Sequence, residues 1–294
     1  MRDGSEEELG EIVRLRFYKD KMQPATEVSG KAFWAGNASD VLGVKLTVNN
    51  KLVHFGYADY IKVEAEHGRQ AVSLHSSGWS KLLAQNEPVP GLNYNLDLEG
   101  LLRANTAIPN VSCESGTDTV NYIYVKEHST IWDAVTAYAQ KAYARFPYIR
   151  GDNTVTVKDH TGTVRSYAAE RVISIGSIYD RRTILSRAYM ADADGQYSYY
   201  SDGTAALADG IVRERYYPLD RQWLASPQDG TRVKAEGSER RYGCLFAKVI
   251  GYSGEDIMDF ARIEAGGMSF VRKIEGIEVM LEKGRAVTTF YHWA

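Results

Sequence analysis

Residues 12–18, Ile-Val-Arg-Leu-Arg-Phe-Tyr, alternate apolar and polar with period two, as a strand with one buried face does. The period returns in Val44–Val48, which meets Asn49-Asn50, and again in Leu52–Tyr57, Tyr60–Glu66 and Ala71–His75. In Tyr60–Glu66, Ile61, Val63 and Ala65 share one face and Lys62, Glu64 and Glu66 the other. Turns at Asn49-Asn50 and Gly68-Arg69 make this an antiparallel meander, ready to close as a small barrel or sandwich. In the stretch that follows, Ser76–Gly91, Trp79, Leu82 and Leu83 are spaced i, i+3, i+4, so one helical turn places all three on one face. Pro88, Pro90 and Gly91 end it.

The middle of the chain changes period. Leu96–Asn105 reads as a short helix and Val120–Val125 as a strand. The spacing predicts a helix over 129–146, with Thr130 and Asp133 as a capping box and Pro147 as its stop. Its stripe of Ile131, Val135, Tyr138, Ala142 and Phe146 is read as core. Strand patterns resume in Asn153–Val157 and Thr163–Tyr167, on either side of an Asp-His-Thr-Gly turn. Asp194-Gly195, Asp202-Gly203 and Asp209-Gly210 recur between Tyr- and Val-bearing runs and read as successive hairpin turns. Gly243–Tyr252, Asp259–Glu264, Phe270–Glu282 and Ala286–Trp293 complete the strands. The fold class is therefore α+β, mainly β: two β-barrel-like domains, 1–92 and 152–294, with an α/β insert at 93–151.

Composition narrows the function classes. The 294 residues are 44% hydrophobic and 25% charged with a net charge of -3, so the balance marks neither a nucleic-acid binder nor a disordered chain. No apolar run approaches the roughly 18 residues of a membrane span, and the acidic start is unlike a signal peptide. Cys113 and Cys244 lack metal or redox spacing. Tyrosine is abundant, 20 against 8 phenylalanines, which favours half-buried strands and wet contact surfaces.

Chemical motifs are absent. There is no phosphate loop, dinucleotide fingerprint or HExxH, and the histidines at 54, 67, 75, 128, 160 and 292 form no helical pair. Asp192-Ala-Asp194-Gly195 departs from a calcium loop at Met190 and Ser201 and reads as a hairpin turn. Ser80 with His75, and Cys113 with His128, are the nucleophile pairs to consider. Gly78-Trp79-Ser80 lacks the second glycine of a nucleophile elbow, and nothing lowers the Cys113 pKa. Paired carboxylates of a glycosidase type leave no sequence signature. Tyr197, Tyr199, Tyr200, Tyr216 and Tyr217 could stack on sugars, though cross-strand pairing is the ordinary use of such residues.

The order of parts, with the Trp79-Ser80 loop ending in Gln85-Asn-Glu-Pro, the Tyr122-Ile-Tyr-Val-Lys-Glu strand, Ser129-Thr-Ile-Trp-Asp-Ala-Val, Phe146-Pro-Tyr-Ile-Arg-Gly151 and Gly210-Ile-Val-Arg-Glu-Arg-Tyr-Tyr, resembles the baseplate hub proteins of contractile phage tails, the late-control gene D family. Relatives occur in phage-tail-like bacteriocins and injection systems. The resemblance implies a non-enzymatic homotrimer whose six barrels join a hexameric tail tube to a trimeric central spike. Tape-measure and baseplate wedge proteins would be further neighbours. It implies a place in the virion or tail-like particle after assembly in the bacterial cytoplasm, with no cofactor, no membrane insertion and no sequence-specific nucleic acid. The end at Trp293-Ala294, directly after the last strand, is expected to leave no fused lysozyme or spike. The alternatives are a tail-associated peptidoglycan hydrolase and a carbohydrate-binding tail module. The expected structural anchors are Trp79, Leu82, Leu83, Trp132 and Tyr138.

Overall fold

A computed structural model describes residues 1, 4–105 and 107–293. The opening alternation forms β1 (Ile12–Asp20), β2 (Thr26–Phe33), β3 (Gly43–Val48), β4 (Lys51–Glu66) and β5 (Arg69–Gly78). The middle of the chain supplies β6 (Gly91–Leu96), α1 (Leu98–Asn105), β7 (Ser112–Cys113), β8 (Val120–Val125), α2 (Ile131–Tyr143), β9 (Tyr148–Ile149) and β10 (Thr154–Thr156). Then come β11 (Val164–Tyr167), β12 (Val172–Tyr179), β13 (Arg187–Met190), β14 (Tyr199–Asp202), α3 (Thr204–Ala208), β15 (Glu214–Tyr217) and α4 (Pro227–Glu239). The chain finishes with β16 (Gly243–Ile250), β17 (Phe260–Ala265), β18 (Met268–Lys273), β19 (Gly276–Glu282) and β20 (Arg285–Trp293). The molecule is α+β and mainly β.

Strands from both ends of the chain share one nine-stranded sheet, in the order β12-β16-β20-β19-β1-β2-β5-β4-β3. β1 lies at its centre, with Phe17 opposite Val28 on β2 and Val279 on β19. These three side chains are buried, and Val53, Val249, Ile263 and Phe290 join them in one core that draws on both wings of the sheet. The insert has its own core, in which α1 and α2 pack Leu101, Val135 and Tyr138 against Ile123 and Val125 of β8. A third, small core holds Leu185, Ala188 and Ala235 between the β14-β13-β15 sheet and α4.

Several local expectations give way to tertiary demands. Leu52–Tyr57 and Tyr60–Glu66 are one 16-residue strand, kinked by a register shift at Ala58–Tyr60. Its turn is His67-Gly68, both at positive φ, one residue earlier than expected. Beyond the bulge Lys62, Val63, Glu64 and Ala65 are all exposed, so this alternation marks a projecting ribbon rather than a half-buried strand. Asn153–Val157 and Thr163–Tyr167 do not form a hairpin: β10 joins β9 and β7, whereas β11 runs parallel to β17. Phe270–Glu282 is two strands, β18 and β19, broken at Ile274-Glu275.

The Asp-Gly meander is corrected to one hairpin. Asp194-Gly195 does connect β13 and β14, with Gly195 at φ 77°. Asp202-Gly203 instead leads into α3, and Gly203 has an ordinary negative φ. Its lack of a side chain serves packing, because a Cβ there would lie 1.8 Å from the Leu185 carbonyl oxygen. Asp209-Gly210 closes α3, after which β15 runs parallel to β13.

Helix α2 opens as the sequence predicts. Thr130 Oγ1 accepts from the Asp133 N–H at 3.1 Å, and the Thr130 N–H donates to Asp133 Oδ2 at 2.8 Å. It ends at Tyr143, three residues before Phe146, because Ala144 turns left-handed (φ 51°) and donates back to Ala139 and Gln140.

Candidate interaction surfaces

The serine, histidine and cysteine groups suggested by the sequence do not assemble into a nucleophilic site. Ser80 is fully buried and meets Asn153 Oδ1 at 3.3 Å, whereas His75 Nδ1 meets Asp59 Oδ2 at 2.9 Å. Cys113 is half-buried, and burial together with Glu99 and Asp97 raises its pKa, the wrong direction for a thiolate. His128 is exposed beside Glu87.

A Thr-His-Ser chain that sequence spacing does not reveal lies inside the sheet. His54 Nδ1 is 2.7 Å from Thr26 Oγ1 and its Nε2 is 2.9 Å from Ser76 Oγ. Ser76 spends its proton on the Tyr57 carbonyl, 2.8 Å away. Ser76 Oγ must therefore accept from Nε2–H, leaving Nδ1 to accept from the Thr26 hydroxyl. Burial, with a smaller contribution from His75, lowers the His54 pKa to about 4. The ring is neutral, fully enclosed and fixed in one tautomer: a structural strut, with its serine already engaged as a donor.

The expected anchors divide between two places. In a six-residue 3₁₀ helix, Trp79–Ala84, residues i and i+3 eclipse. Trp79 and Leu82 therefore align, while Leu83 turns away into the insert core. Trp79 is half-buried against Phe55 and Tyr57, with centroids 6.2 and 5.6 Å apart. Tyr138 is fully buried and its hydroxyl donates to the Asp118 carbonyl at 2.5 Å. Trp132 lies half-buried at the rim of that core.

The tyrosines form a ladder. Tyr200, Tyr189 and Tyr216 face one another across β14, β13 and β15, and Tyr189 stacks on Tyr216 at 4.5 Å with planes 1° apart. Tyr197 caps Tyr216 edge-on at 5.2 Å, and the Arg187 guanidinium covers Tyr200 at 4.5 Å. Neighbouring rings and the Arg187 guanidinium thus pack against these tyrosines, while Tyr197, Tyr200 and Tyr216 remain exposed. The arrangement is a cross-strand stack, in which Arg187 donates to the Tyr189 hydroxyl and the Tyr216 hydroxyl donates to Glu214.

The sheet ends supply larger surfaces. Among the described residues β3 pairs with β4 alone and β12 with β16 alone, so each carries an open edge. Beside the β12 edge stand exposed Ile173, Ile178 and Tyr179. The described residues include no group of three or more His, Cys, Asp and Glu placed to hold a metal, and no helix long and apolar enough to cross a membrane.

Comparison of the whole fold places this geometry. A tail protein from Neisseria meningitidis MC58 superposes with a TM-score of 0.74 over 97% of this chain and 92% of its own, at 12% identity. The chain shares the fold of that tail protein. The 43 kDa tail protein of prophage MuSo2 from Shewanella oneidensis follows at 0.68, 10% identity, covering 96% and 93%. An Escherichia coli type VI secretion component, described as structurally similar to the T4 bacteriophage tail proteins gp27 and gp5, superposes at 0.55 and 8% identity over 98% of this chain and 74% of its own. No family model and no curated protein matches the sequence.

Proposed function

We propose that the chain is a structural, non-enzymatic hub subunit of a tail baseplate, working as a trimer between a tail tube and a central spike. The observation that carries this reading is the pair of open edges at opposite ends of one sheet, β12 and β3. An interface joining unlike edges of neighbouring copies is head-to-tail, and such interfaces close into rings when the rotation permits. The tail-protein fold supports the same reading. Segments 1–92 and 152–294 would supply the two barrel-like repeats of each subunit, and 93–151 the insert that spaces them. Tube, spike, tape-measure and wedge proteins are the proposed partners, and the released particle the proposed location.

Sedimentation of the purified chain, alone and with its neighbouring gene products, tests this. A three-fold species lost on Ile173→Lys/Ile178→Lys, with unchanged circular dichroism, is expected. A two-fold dimer, or a ring insensitive to those changes, overturns the proposal. Clearing of a peptidoglycan gel that one carboxylate substitution abolishes would establish the hydrolase instead.

A further inference from the structure

A cleft of about 360 Å³ opens where six parts of the chain meet: the β1–β2 turn, the segment after α2, the segment after β10, the end of α4, the β18–β19 bend and the end of β20. Five cationic side chains line it, Lys21, Arg145, Lys158, Arg240 and Lys273, against two carboxylates, Asp159 and Glu275. Both carboxylates are committed. Asp159 meets Arg145 at 2.5 Å and Lys273 at 3.9 Å, and Glu275 holds Lys21 at 2.7 Å.

Arg240 is left over. Its guanidinium lies 3.8 Å from the centroid of Phe146 and makes neither a hydrogen bond nor an ion pair among the described residues. Asp20, the other carboxylate near it, is taken by Arg241 at 2.9 Å, the Tyr18 hydroxyl at 2.9 Å and the Met22 N–H at 2.7 Å. Burial lowers the Arg240 pKa to about 10, so the charge is held there against its desolvation cost. Trp293 also lines the cleft, and its buried indole Nε1 has no hydrogen-bond acceptor among the described residues. A guanidinium stacked on a ring, with no carboxylate of its own, is a charged donor that lacks an anion.

We propose that this cleft is a docking site for an acidic peptide segment, with a Glu or Asp carboxylate on Arg240 and its apolar stem between Phe146 and Trp293. The cleft falls within the roughly 300–1,000 Å³ range of ligand pockets, more room than one oxyanion needs. Its aromatic walls match an alkyl stem as well as a charge. The site does not depend on the hub reading and would serve a monomer equally.

The test is calorimetric titration of the full chain with acetyl-Glu-Glu-Leu-Glu-amide, its all-Gln counterpart and inorganic phosphate. The Glu peptide is expected to bind, weakening with salt, while the Gln peptide stays silent. Arg240→Gln should weaken binding on the order of ten-fold or more, the scale of a lost charge-assisted hydrogen bond. Lys158→Gln, which removes a second cation of the lining, should weaken it less, and both variants should melt as the parent does. Absence of Glu-peptide binding, equal binding by Arg240→Gln, or phosphate binding as tight as the peptide each overturns the proposal. Should Arg240→Gln fail to fold, loss of binding in Lys158→Gln and in Trp293→Phe decides: unchanged affinity in both refutes it.

Discussion

Single residues here carry more than their sequence context announces. His54 sits in an ordinary alternating run, yet it is fully enclosed with a pKa near 4. The fold favours its neutral form, so the stability it contributes is complete above an unfolded pKa of about 6.5. That stability drains away as pH falls toward 4, by about 3 kcal/mol in all. Urea unfolding at pH 7 and pH 5 should show the loss, and His54→Asn should flatten the slope; an unchanged slope would remove His54 from the account. The apolar anchors divide by burial. Leu83→Ala should cost about 3 kcal/mol, since Leu83 is 1% exposed in the insert core, and half-buried Leu82→Ala clearly less. Equal losses on thermal unfolding would mean the two residues share one environment after all. The spacing of Trp79, Leu82 and Leu83 announced a helical turn. It could not announce the 3₁₀ pitch that sends Leu83 one way and Trp79 the other.

Elements were legible where local and tertiary forces agree. Helix α2 has a cap and a stripe that are visible from Thr130 onward, whereas its actual stop, left-handed Ala144, falls ahead of the Pro147 that the sequence offers. Thr130→Ala should therefore cost about 1 kcal/mol, and Ala144→Gly should return up to about 1 kcal/mol by relieving a left-handed alanine. Opposite-signed shifts of the melting temperature check both. Helix α4 was hidden for the converse reason. Pro227-Gln-Asp-Gly-Thr-Arg-Val-Lys-Ala-Glu-Gly carries two glycines and little apolar stripe. At Gly230 a Cβ would lie 2.7 Å from Met190 and 2.9 Å from Trp223, so the residue that weakens the helix locally is the one that lets it seat. Strand β6 left a fainter trace: Leu92, Tyr94 and Leu96 keep period two, masked by the Pro-Val-Pro-Gly before them.

At the scale of the molecule, the decisive contacts join residues that no local pattern relates. Lys19, 2% exposed on β1, pairs with Asp256, which also accepts the Ile257 and Gly151 N–H groups at 2.7 and 3.2 Å. Burial opposes the Asp256 charge, but Lys19 and those donors outweigh it, and the carboxyl titrates below its usual range. Lys19→Met, which strands that charge, should cost about 3–5 kcal/mol in urea unfolding. Lys19→Met/Asp256→Asn should cost less, because no unpaired ion remains. A double variant no more stable than the single would show that the pair contributes little beyond its backbone bonds. The β1–β19 pairing has the same character, with Arg16 bonded to Glu278 across 262 residues, and it bears on synthesis. At about 5–20 residues per second, β1 leaves the ribosome roughly 15–50 s before its partner exists. Throughout that interval one side of β1 is a bare edge in a crowded cell. Whatever shields it then, a chaperone or a provisional pairing within the nascent chain, governs how much of this protein is ever made intact.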